Sequence, residues 1–121
     1  MKYDCWTYYM TVYYALDAAY VTHPSESLNE YLSEANPCLW QGKGSADPAI
    51  WHEFEKEFRA SFGAIAAEAM DVLPFVRRYV TEQGVHYNAL YDEQCDFLGM
   101  FDSKIPKEKW EEACKRVADS L

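Results

Sequence analysis

Between Tyr3 and Tyr20 the chain reads YDCWTYYMTVYYALDAAY, a stretch holding six of the ten tyrosines, one of the four tryptophans and no lysine or arginine. Each such ring hides on the order of 150–250 Å² when packed, so a segment this aromatic has to be surrounded by other structure. Its spacing is helical. Trp6, Tyr9, Tyr13, Leu16 and Tyr20 form one stripe, and Cys5, Tyr8, Val12, Ala15 and Ala19 form a second beside it. Only Asp4, Thr7, Thr11 and Ala18 remain for an outer face. The expectation is a central helix with more ring area than one monomer's interior can hide. Some rings should then lie at the surface or in a homodimer, and Tyr14, on the Thr7–Thr11 side, is the ring expected outside.

The rest of the chain reads as further helices. Ser27 with Glu30 has the spacing of a capping box, followed by Leu28, Tyr31 and Leu32, and Asn36-Pro37 ends that segment. Residues 36–47 form the longest irregular stretch and contain Trp40, read as a plug at the end of the bundle or an anchor for a partner. Asp47-Pro48 opens a third helix with a cap residue before a first-turn proline, and Gly63 closes it. Trp51, Phe54, Phe58 and Phe62 fall on its inner face; His52, Glu53, Glu55, Lys56 and Arg59 fall on the other.

A stripe of Ile65, Ala69, Val72, Val76 and Val80 predicts a helix over about 64–83, kinked or divided at Pro74 and closed by Gly84. Another is expected from about Tyr87 to Leu98 with Gly99 as its stop, and Pro106 opens the last, with Trp110, Ala113, Cys114, Val117 and Leu121 inward. No alternating strand pattern is visible. The fold class expected is all-α: a single compact, bundle-like domain of five or six helices over residues 1–121.

The net charge is −9, and it is unevenly placed. Residues 3–42 carry Asp4, Asp17, Glu26, Glu30 and Glu34, and residues 79–103 carry Glu82, Asp92, Glu93, Asp96 and Asp102, with no lysine or arginine in either stretch. Such a field disfavours direct binding to nucleic acid or to an anionic membrane and favours a basic protein partner. With no membrane-length apolar run, no secretory leader pattern and four scattered cysteines, a cytoplasmic protein with reduced thiols is expected.

Motifs for chemistry are missing. A di-iron bundle needs Glu-x-x-His twice, yet the residues three before His23, His52 and His86 are Tyr20, Ala49 and Gln83. His52-Glu53 starts like a zincin helix, but position 56 is lysine. Gly42-Lys43-Gly44-Ser45 lacks both the earlier glycine and the preceding strand of a phosphate loop. Cys38 lies in a loop, and no spacing ties it to His23 or His86. No metal, no cofactor and no enzymatic activity are expected.

What remains is an acidic interaction module. Carboxylates in the two base-free stretches could imitate spaced phosphates and occupy the basic groove of a nucleic-acid-binding protein, as an inhibitor would. The residues expected to contact a partner are Tyr14, Asp17, Glu26, Glu30, Glu34, Trp40, Asp92, Glu93 and Asp96. Two alternatives are a small-molecule binder or enzyme with a tyrosine-lined pocket between helices, and a homo-oligomeric structural subunit.

Overall fold

A computed structural model describes residues 1–37 and 42–121. The element order is β1 (Lys2–Asp4), α1 (Cys5–Thr22), α2 (Glu26–Ala35), α3 (Pro48–Phe62), β2 (Ala66–Glu68), α4 (Ala69–Tyr91), α5 (Phe97–Lys104) and α6 (Trp110–Ser120), with a 3-10 turn at Lys107–Lys109 before α6. The class is all-α and bundle-like. The one sheet pairs β1 antiparallel with β2, Tyr3 opposite Ala67. Three residues per strand are too few to show alternation, which is why the sequence pattern did not reveal them.

Helix α1 lies at the centre, with α2, α3, α5 and α6 packed around it. From Cys5 to Leu16 every side chain is buried except Tyr14, which is 44% exposed. The expected excess of ring area is therefore absorbed. Thr7 and Thr11, assigned to an outer face, are buried: the Thr7 hydroxyl donates to Asp4 and the Thr11 hydroxyl to the Thr7 carbonyl. Short polar side chains that bond their own helix leave no unmet donor when neighbours cover them. The surface-ring argument for a homodimer loses its premise here.

Phe54 and Phe58 of α3 stand at the centre of the ring contacts, Phe54 meeting Tyr9, Trp51, Phe75 and Tyr79 at centroid distances of 4.9–6.3 Å. The hydroxyls of α1 have particular uses. Asn36-Pro37 stops α2 and leaves its last carbonyls without helical partners. Tyr9 donates to the Ala35 carbonyl and Tyr13 to that of Leu32. Tyr8 reaches across to the Ala67 carbonyl of β2, and the Trp110 indole donates to the Ala69 carbonyl.

Several boundaries differ from the sequence expectation. Ser25, not Ser27, caps α2 by accepting from the Leu28 N–H, and Ser27 is buried inside the first turn. Helix α4 runs unbroken through Pro74 and Gly84. Pro74 lies near its start, and it and Met70, whose carbonyl loses the bond, are both exposed, so water meets the freed group. Gly84 is a close approach rather than a stop: a Cβ there would stand 3.1 Å from the Phe97 Cβ.

The break comes at residues 92–96. Asp92 takes a left-handed conformation (φ 51°), and the Asn88 amide clasps the Cys95 backbone from both sides at 2.8 and 3.0 Å. Gly99, expected as a stop, sits in the first turn of α5, where its N–H is accepted by Asp96. Asp47, Pro48 and Gly63 bound α3 as expected, Gly63 at φ 67°.

Candidate functional site

The two base-free stretches meet along the seam between α2 and α4. Glu26, Glu30 and Glu34 recur every four residues, one turn apart, so they form a ladder along α2 with a rise of roughly 6 Å per step. Gln83, Tyr87 and Tyr91 run along α4 with the same period. The Tyr91 hydroxyl donates to Glu30 at 3.0 Å and the Tyr87 hydroxyl to Glu34 at 2.6 Å. The Glu93 carboxylate accepts the Ser27 N–H at 2.6 Å, so residue 93 supplies a second cap for the N-terminus of α2.

These contacts fasten the ladder to the end of α4 and bring Asp92 and Glu93 beside it. The hydrogen bond it donates to Glu30, then burial, raises the Tyr91 phenol above its ordinary value. Burial, then the bond to Glu34, raises that of Tyr87. Negative charge on the ladder is thus matched by phenols that stay protonated.

A cleft of about 280 Å³ opens on the adjoining side, between α3 and α4. Ile50, Phe54, Tyr79 and Tyr87 form its base; Glu53 and Glu57 stand on the α3 wall, Glu82 and His86 on the α4 wall. Tyr87 belongs to both features, lining the cleft and donating to the ladder. The sequence reading gave Glu53 only an outer-face position and did not single out Glu57 or Glu82 as site residues. The available signal was Glu53-x-x-x-Glu57: like charges at i and i+4 oppose each other, whereas neighbouring Glu55 has Arg59 at 3.8 Å.

The nine residues expected at a partner surface do not form one patch. Glu26, Glu30, Glu34, Asp92 and Glu93 come together as described. Asp96 is engaged as the cap of α5. Tyr14 faces α6 instead, bordering a groove of about 270 Å³ with Met10, Arg116, Val117, Ser120 and Leu121. Asp17, exposed one turn further along α1, acts electrostatically on Tyr13. Trp40 and Cys38 lie outside the described residues.

The opposite charge gathers elsewhere. Lys104, Lys109 and Arg116 line a third cleft with Ile105, Glu112 and Ala113, where α5 and α6 meet. Arg116 bonds Glu112, one turn away, at 2.8 Å, and Lys115 bonds Asp119 at 2.7 Å. Arg77 is held by Asp102, leaving that carboxylate out of the acidic seam.

Among the described residues no three His, Cys, Asp or Glu side chains are grouped to hold a metal ion. Cys5 and Cys114 are buried, and burial pushes each thiol up to about 12, so neither is poised as a thiolate nucleophile. Among the described residues no helix is long and apolar enough to cross a membrane.

The fold defines the class, a small all-α domain, and some of its carboxylates, Glu30, Glu34 and Glu93 among them, meet along the α2–α4 seam. Compared with protein-family models, curated proteins and solved structures, the chain matches none.

Proposed function

We propose that this domain is an acidic protein-interaction module that docks a basic partner along the α2–α4 seam. The observation that carries the reading is the convergence of Glu26, Glu30 and Glu34 with Asp92 and Glu93, residues more than fifty positions apart, through the Tyr91–Glu30 and Ser27–Glu93 bonds. Like charges assembled this way repel one another, so the arrangement lowers stability unless a cation answers it. A regular ladder of carboxylates on a rigid helix offers a basic groove what spaced phosphates offer it, which suits an inhibitor of a nucleic-acid-binding protein.

Affinity capture from the native host, followed by mass spectrometry, would identify the partner. Binding should then weaken steeply between low and moderate ionic strength, because exposed charges separated by about 10 Å are screened near 0.1 M salt. The Glu26→Gln/Glu30→Gln double variant should lose most of that salt dependence. A complex insensitive to both would remove the mimicry.

The tyrosine-lined cleft between α3 and α4 supports a second reading, a small-molecule site. The sequence expectation for such a site is an enclosed cavity lined by tyrosine hydroxyls with at least one histidine or carboxylate. Here Tyr79 is bonded to Tyr31 at 2.9 Å and Tyr87 to Glu34, so the hydroxyls are engaged within the fold. That favours recognition over catalysis.

A further inference from the structure

We infer that the α3–α4 cleft receives an arginine side chain of the basic partner. This rests on the interaction reading above and adds which side chain enters and where it lands.

Two features of the cleft point the same way. Its base is apolar and aromatic, formed by Ile50 and the rings of Phe54, Tyr79 and Tyr87, while carboxylates stand on both walls. Among the described residues no lysine or arginine lines it, although cationic side chains border three of the other described clefts through Arg116, Lys104, Lys109 and Lys43. Glu82 leans on Arg78 at 3.7 Å, a long contact between two largely exposed side chains. Among the described residues neither Glu53 nor Glu57 is in an ion pair, although both are exposed and one turn apart on α3. A cleft with an apolar base and an unanswered negative rim is complementary to a side chain with an apolar stem and a cationic head.

Arginine fits this description better than lysine. Its planar guanidinium has five donors in a fixed fork and can address two carboxylates at once, whereas an ammonium acts as a compact and strongly hydrated point charge. The three methylenes of its stem would lie over Ile50 and the ring edges while the head stays at the rim. Tyr87 connects the cleft to Glu34, so a partner seated on the ladder has the cleft within reach of a neighbouring side chain.

The test uses oligoarginine and oligolysine of equal length, with binding measured by calorimetry at low salt and mapped by amide NMR shifts. Wild type should bind oligoarginine several-fold more tightly, with shifts over residues 50–57 and 82–87. Glu53→Gln/Glu57→Gln, both exposed and checked for an unchanged thermal melt, should weaken oligoarginine about tenfold, equivalent to about 1.4 kcal/mol, and erase the preference. Glu26→Gln/Glu30→Gln should weaken both peptides alike and keep it.

If the cleft variant changes neither affinity nor preference while the ladder variant weakens both peptides, the arginine site is wrong and the interaction reading stands. Absence of binding to either peptide would overturn both. Acetyl-arginine amide binding as tightly as oligoarginine would assign the cleft to a small cation and overturn the docking role.

Discussion

In the middle of the molecule a tyrosine hydroxyl ends on a backbone carbonyl; along the α2–α4 seam it ends on a carboxylate. Tyr8, Tyr9 and Tyr13 donate to Ala67, Ala35 and Leu32, all within the packed interior. Tyr87 and Tyr91 donate to Glu34 and Glu30. In the first group Tyr9 and Tyr13 close an end that α2 could not close for itself, and Tyr8 ties α1 to β2. In the second the acceptor already has water, so the bond orients a charge more than it stabilises the fold. One residue type holds the structure in one place and arranges a surface in the other.

The largest effect that could break this distinction is alkaline unfolding. Burial raises the thiols of Cys5 and Cys114 from 9.0 to about 12 and the phenol of Tyr13 from 10.0 to about 12, and it raises Tyr9, Tyr31 and Tyr79 well above the ordinary phenol value. In each case the folded value lies above the unfolded one. The stability these groups hold is therefore complete below about pH 9 and is lost as pH climbs toward 12, at about 1.4 kcal/mol per pH unit for each group in its window. Urea midpoints should fall sharply between pH 9 and 11, with tyrosinate absorbance rising together with loss of helix. Tyrosinate appearing fully before the helix melts would mean the interior rings are not sealed.

Phe54→Ala comes next. Phe54 is completely buried among five aromatic neighbours, so the variant should lose about 3–5 kcal/mol by urea titration at neutral pH. A smaller step sharpens the comparison directly. Tyr9→Phe strands the Ala35 carbonyl and should cost about 1–3 kcal/mol, whereas Tyr91→Phe, at an exposed bond, should cost about 0.5 kcal/mol or less. Equal losses from the two variants would erase the difference between interior and seam.

Much of this was legible in the sequence where the signal is local. Asp47-Pro48 and Gly63 bound α3 because cap chemistry acts within one turn, and the doubled stripe of residues 3–20 identified the central helix. Tyr14 was found exposed as expected. The misreadings arose where a distant residue decides. Gly84 reads as a helix end until Phe97 is known to press against it. Ser27 resembles a cap until Ser25 and Glu93 are seen to share the first turn of α2. At the site, the ladder Glu26–Glu30–Glu34 is visible as a period of four. Its junction with Asp92 and Glu93 is not, because it depends on how α2 lies against α4. The carboxylates of the cleft were hidden for the opposite reason, since a polar helix face looks the same whether it borders water or a hollow.

The clip formed by β1 and β2 has a consequence for biosynthesis. Tyr3 cannot meet Ala67 until some sixty further residues have been made, and Trp110 reaches the Ala69 carbonyl later again. At ribosomal rates of about 5–20 residues per second, the aromatic helix α1 waits roughly 5–20 s between its own emergence and that of α6. The segment richest in rings thus waits longest for its full cover, and its handling by chaperones during translation should depend on how fast the codons between α1 and α6 are read.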